Sequence, residues 1–168
     1  MGISQTIYVV PDDALDGLIG NDADLVSMAK KRAWPGKYLR SYWRWLAEML
    51  TYGRSPDLLP FAALTTGELR FSNDHDGAHA LRSTMAAQFA AYVGGLSYVD
   101  VRAYVNVKRD LAAVKFANHP DGHRWIPTEN QMIQQGAEYA MYLEQVKRIS
   151  AQARDEGSGL LFCFWEDW

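Results

Sequence analysis

A single cysteine, Cys163, stands in a chain of 168 residues. An internal disulfide is therefore excluded, and a lone thiol fits a reducing compartment. Basic residues are not in excess: 17 Lys and Arg face 20 Asp and Glu, for a net charge of −3. Phosphate neutralisation supplies most of the affinity of nucleic-acid binders, so no nucleic-acid partner is expected. The one compact basic run, Lys30-Lys31-Arg32 followed by Lys37 and Arg40, reads as the solvated end of a helix. No apolar run approaches the roughly 20 residues that span a bilayer. The opening MGISQTIYVVPDDALDG lacks the basic region and apolar stretch of a secretory leader. No membrane partner is expected, and the cytoplasm is the expected location. No repeat, low-complexity tract or Pro/Gly/Ser linker divides the chain, which suits one domain over residues 1–168 with a core large enough to need no staples.

What is present alternates between helical and strand patterns. Ile3, Ile7 and Val9 share odd positions in a β-branched run, predicting a strand over 3–10. Pro11-Asp12-Asp13 suits the first turn of a short helix, and Asp22 is placed to cap a second one running to about Arg32. Leu39, Tyr42, Trp43, Leu46, Met49 and Leu50 recur at three- and four-residue steps, predicting a helix from Lys37 to Tyr52 that Gly53 ends. A short helix over 56–64 and a short strand or link over 68–72 follow. Ala78, Leu81, Met85, Phe89 and Tyr92 fit one helical face from Gly77 to Val93. Ser97 is a candidate N-cap for a helix reaching Leu111. Thr128 with Gln131 forms a capping box for a long helix to about Arg154, with Glu144 and Arg148 at i,i+4 spacing. LLFCFW is apolar on both faces, as a covered strand is. The expected fold is α+β: mostly helix, with a small sheet formed by the N-terminal and C-terminal strands.

All four histidines fall in two His-x-x-x-His pairs, His75/His79 in NDHDGAHALR and His119/His123 in NHPDGHRW. On a helix such a pair shares one face and can hold zinc. In metalloproteases the residue after the first His is a catalytic Glu; here it is Asp76. Gly77 interrupts the first pair, and Pro120 and Gly122 the second, so helix capping by aspartate is the plainer reading. A metal site would draw on His75, His79, His119, His123 and Asp76, with zinc as its ion; no cofactor is otherwise expected. No nucleophile motif accompanies them: EGSGL is not G-x-S-x-G, and Cys163 between two phenylalanines reads as a core thiol. The acidic stretch after Pro11 fails the EF-hand pattern at Ala14 and Ala23, and the glycines form no phosphate loop.

Aromatics supply the other candidates. Trp45 lies off the stripe of the Lys37–Tyr52 helix. Trp165, Glu166, Asp167 and Trp168 close the chain as a potential recognition patch, since Trp is enriched at hot spots and acids steer basic partners.

Several stretches resemble the YfbM-like family, a bacterial group of unknown function. MGISQTIYVVPDDALDGLI is similar to that family's opening Met-Gly, strand and short helix. YWRWLAEMLTYG resembles its Trp-containing helix, and LSYVDVRAYVN its L-S-x-x-E-L-R helix, with Asp100 as the acid. YLEQVKRISAQARDEGSGLLFCFW is similar to its last helix, small-residue turn and terminal strand. The HDGAH segment and the FWEDW ending depart from it. The resemblance implies an α+β fold with a small terminal-strand sheet and carries over no catalytic residues.

The functional expectation is a small non-enzymatic binding protein, an inhibitor or immunity-type partner of another bacterial protein. The alternative is a metal-dependent hydrolase built on the histidine pairs. A weaker alternative is a small-ligand module on the Trp43/Trp45 helix.

Overall fold

The computed structural model describes residues 2–19, 25–71 and 77–167, Asp167 by its backbone only. It divides into two compact units, residues 1–95 with 143–168, and residues 96–142.

The first unit is built on one sheet. β1 (Gly2–Val10) and β5 (Gly159–Asp167) pair antiparallel along their whole length, from Gly2 opposite Asp167 to Val10 opposite Gly159. These are the two terminal strands expected from their apolar sequences, and they form the centre. β2 (Gly36–Tyr38) flanks β1; β4 (Ala78–Leu81) and β3 (Leu69–Phe71) extend the β5 side, giving the order β2-β1-β5-β4-β3. Every neighbouring pair is antiparallel.

Strand side chains alternate between faces. On one face Tyr8, Val10, Leu161, Cys163, Ala78, Ala80 and Phe71 pack with Leu15, Leu18, Leu25 and Ala29. The last four belong to or follow α1 (Asp12–Asp16) and α2 (Leu25–Lys31). The Cys163 thiol is buried in this cluster. The other face carries Ile3, Gln5, Ile7 and Val9 with Leu160, Phe162 and Phe164. It meets α3 (Trp43–Thr51) through Trp43 against Phe164, and α4 (Ser83–Gly94) through Phe89 against Phe162. Two polar side chains buried on this face hold the carbonyls of the connection after α3: Gln5 donates to Leu64 at 2.8 Å and His79 to Ala63 at 2.7 Å.

Three expected elements take a different form. The helix expected from Lys37 begins only at Trp43, because the β1 edge captures the preceding residues: Gly36–Tyr38 pair with it, and the Leu39 amide donates to Gln5 at 2.8 Å. Arg40 then adopts φ 49°, which separates strand from helix. Residues 56–64 are turns rather than a helix, held by isolated bonds such as Ala62 to Leu58 at 3.1 Å; Pro56 and Pro60 supply no amide donor. The helix expected from Gly77 begins at Ser83, since Ala78–Leu81 pair with β5 as a strand. The cap expected from Asp22 and the aspartate cap at Asp74 or Asp76 lie outside the described residues.

The second unit carries α5 (Tyr98–Phe116), a 3-10 turn at Gly122–Trp125 and the first half of α6 (Glu129–Asp155). Both expected starts are capped. Ser97 and Asp100 form a capping box on α5. On α6 the Thr128 amide donates to Gln131 at 2.9 Å, and the Gln131 amide to Thr128 Oγ1 at 3.3 Å. In the half of α6 that belongs to the first unit, Glu144 pairs with Lys147 at 3.0 Å, one residue short of the expected Arg148. Among the described residues no helix is long and apolar enough to cross a membrane.

Candidate functional site

His79 lies on β4, not on a helix, and is 4% exposed. Its ring stacks on Phe162 at 4.7 Å and 14°, with Phe164 at 5.5 Å. The Ala63 carbonyl can only accept, so Nε2 carries the proton and Nδ1 the lone pair. Burial pushes the pKa down to about 4, against the opposing pull of the Ala63 hydrogen bond and with help from the Arg70 charge. His79 is thus a neutral imidazole in ordinary conditions, and the helical geometry that would join it to His75 is absent at its own position. His75 and Asp76 lie outside the described residues.

The second histidine pair belongs to the 96–142 unit. His119 is exposed, accepts the Asp121 amide on Nδ1 at 3.1 Å and meets Trp125 edge-on at 4.3 Å. His123 is exposed on the 3-10 turn. Among the described residues no group of three His, Cys, Asp or Glu side chains is gathered to hold a metal.

The terminal aromatic-acidic segment is mostly the last rungs of β5. Trp165 tilts against Tyr38 at 5.1 Å and donates to Thr6 at 3.3 Å. Glu166 pairs in register with Ile3, and Asp167 with Gly2. Trp168 lies outside the described residues. Trp45 is half-buried on α3.

A concave surface lies on the α3 side of the sheet, where three cavities follow one another. The first, about 230 Å³, is lined by Gly2, Ile3, Arg44 and Glu166. The second, about 280 Å³, shares Arg44 and adds Trp43, Glu48, Thr51, Pro56 and Thr65. The third, also about 280 Å³, shares Thr65 and adds Thr66, Arg70, Phe71, His79 and Phe164. Trp43 and Phe164 meet edge to face at 4.9 Å between them. The Trp43 indole donates to the Ile3 carbonyl at 2.8 Å, which fixes its orientation. Arg44 lies over the Trp43 ring at 5.5 Å, and Arg70 donates to Thr66 at 3.3 Å.

Of the residues singled out from sequence, this groove brings together His79, Glu166 and Trp43. It adds Arg44, Thr65, Thr66, Arg70 and Phe164, which no local pattern marks. The only signal for Arg44 is its place beside Trp43 in YWRW; Thr65 and Arg70 reach the site through the turns of 56–65 and the β3–β4 pairing. Chemically the groove offers three aromatic side chains, two guanidinium groups, two carboxylates, three hydroxyls and one neutral imidazole. The two cavities that share Arg44 each also carry a carboxylate, Glu48 or Glu166, whereas the Arg70 cavity carries none; the set suits apolar side chains throughout and an acid at Arg70.

No protein-family model and no curated protein matches the chain. Among solved structures it is similar to YfbM from Escherichia coli, a protein of unknown function, with a TM-score of 0.63 and 12% identity over 96% of this chain and 99% of that one. The chain has a YfbM-like fold.

Proposed function

We propose, starting from this YfbM-like fold and its groove, that the protein acts by binding another protein and takes an extended segment of it along α3 and the sheet. The observation that carries this reading is the continuity of the three cavities, which share Arg44 and Thr65. A line of small concavities suits successive side chains of an extended chain better than one compact ligand. The Trp43–Phe164 pair favours a bulky apolar residue, and Arg70, in the cavity without a carboxylate, favours a flanking acid. Holding a partner segment in this way is how an inhibitor or immunity-type protein would work.

Random peptides displayed on phage and panned on the full chain test this. Convergent peptides with a bulky apolar residue beside an acid are expected. Thr65 is exposed and borders two of the cavities, so Thr65→Arg fills the groove without touching the core. It is expected to weaken binding at least about ten-fold, and Arg70→Ala by several-fold. Failure to converge, or peptides indifferent to Thr65→Arg, would refute the reading.

A further inference from the structure

The third cavity contains a buried acceptor that the fold leaves unsatisfied. His79 and Arg70 stand directly opposite each other in the β3–β4 register. Their side chains therefore leave the sheet on one face, with Cβ atoms about 5 Å apart. Both line the cavity with Thr65, Thr66 and Phe164. The Ala63 carbonyl holds the Nε2 proton of His79, and the ring lies flat on Phe162. Nδ1, on the other side of the ring, has no hydrogen-bond partner among the described residues. It is not sealed off either. Among those residues Gln5 Oε1 is the one unbonded side-chain nitrogen or oxygen shut away from solvent. The Nδ1 lone pair thus opens on the cavity that His79 lines. A fixed acceptor on a side chain only 4% exposed calls for an N–H or O–H. Burial keeps the ring neutral, so Nδ1 has no proton to give a bare anion.

Arg70 supplies the opposite half. It donates to the Thr66 hydroxyl at 3.3 Å, which leaves its other N–H groups for an acceptor. Among the described residues no carboxylate pairs with it. Glu68, two residues away, accepts the Arg82 amide at 2.7 Å instead. Arg70 and His79 together ask for an anion and a hydrogen-bond donor a few bonds apart. The last residue of a polypeptide has both, since one carbon joins its α-carboxylate to its own amide N–H. Phosphate and sulfate carry no N–H, and a Glu side chain sets its carboxylate far from its amide. An internal Asp must fold its side chain back and also carry the chain onward. Glu48 and Glu166 in the other two cavities repel a terminal anion, so charge directs it to the Arg70 end. We infer that the third cavity takes the C-terminus of the partner chain, with its carboxylate on Arg70, its last amide N–H on His79 Nδ1 and its last side chain against Phe164. This rests on the groove holding a partner segment, and it fixes that segment's direction, from the Glu166 end to the Arg70 end.

Peptides displayed with free C-termini and panned on the full chain test it. Each selected sequence is synthesised in three forms: the free acid, the C-terminal amide, and the acid N-methylated at its last residue. Fluorescence anisotropy of the labelled peptides gives their Kd values. The acid is expected to bind at least about ten-fold tighter than the amide, and at least about five-fold tighter than the N-methyl form. Arg70 is exposed, so Arg70→Gln spares the core; it is expected to bring acid and amide within about two-fold of each other. The N-methyl comparison probes His79 without altering the protein. Ring-nitrogen NMR is expected to show the His79 Nδ1 resonance moving with the acid and staying with the N-methyl form. Amides that bind as well as the acids, N-methyl forms that bind as well as their parents, or selection of internal segments alone would overturn the inference and leave the groove reading standing. Selection of no peptide from either kind of library would remove both.

Discussion

At the scale of single residues, His79 shows how a polar side chain can serve a fold by staying neutral. It lies flat on Phe162 and spends its one proton on the Ala63 carbonyl. Its pKa of about 4 in the folded chain lies below the ordinary 6.5. The unfolded chain therefore takes up the proton first. His79's contribution is fully present above about pH 6.5, falls as the pH drops towards 4, and is lost below it. At roughly 1.4 kcal/mol per pKa unit the change is on the order of 3 kcal/mol. Urea unfolding of the wild type across that window is expected to show this slope. His79→Gln keeps a donor for Ala63 but cannot titrate, and is expected to flatten the slope; an unchanged slope would place the titration elsewhere. Gln5 does the same work beside it through Leu64, so both buried polar side chains on this face shape the groove's floor by fixing the turns above it.

Among the elements, α4 depends on a residue far away in sequence. Its own N-cap position, Arg82, provides no side-chain cap. Asp12 of α1 takes that role: one carboxylate oxygen accepts the Ser83 amide at 2.9 Å and the other the Ser83 hydroxyl at 2.7 Å. The Arg82–Asp16 ion pair at 2.6 Å lies alongside. Asp12→Ala is expected to cost about 1–2 kcal/mol in chemical denaturation, as loss of a cap does; Asp13→Ala, whose carboxylate bonds only the next amide, serves as the control. The sequence marks Asp12 only as an acid in a first turn. The same contrast runs through the fold. β1 is legible from its alternating β-branched run and β5 from an apolar run that demands cover on both faces, and α5 and α6 because Ser97 and Thr128 cap them locally. β2 and β4 are not legible, because Gly36–Tyr38 and Ala78–Leu81 become strands only by pairing with β1 and β5. The site follows suit. His79 stands out by type, but its position on a strand removes the helical spacing that suggested a metal. Arg44, Thr65 and Arg70 converge from α3, a turn and β3, and nothing local announces that.

For the whole molecule, the sheet-and-helix unit offers a groove of mixed aromatic and charged character. The binding reading stands most directly on where a bound segment sits. An amide and indole NMR titration of the full chain with a peptide selected by panning reads that position residue by residue. The largest shifts are expected at the Trp43 indole and at Thr65, Thr66, Arg70 and Phe164. Shifts centred instead on Tyr38 and Trp165, or on α5, would contradict it.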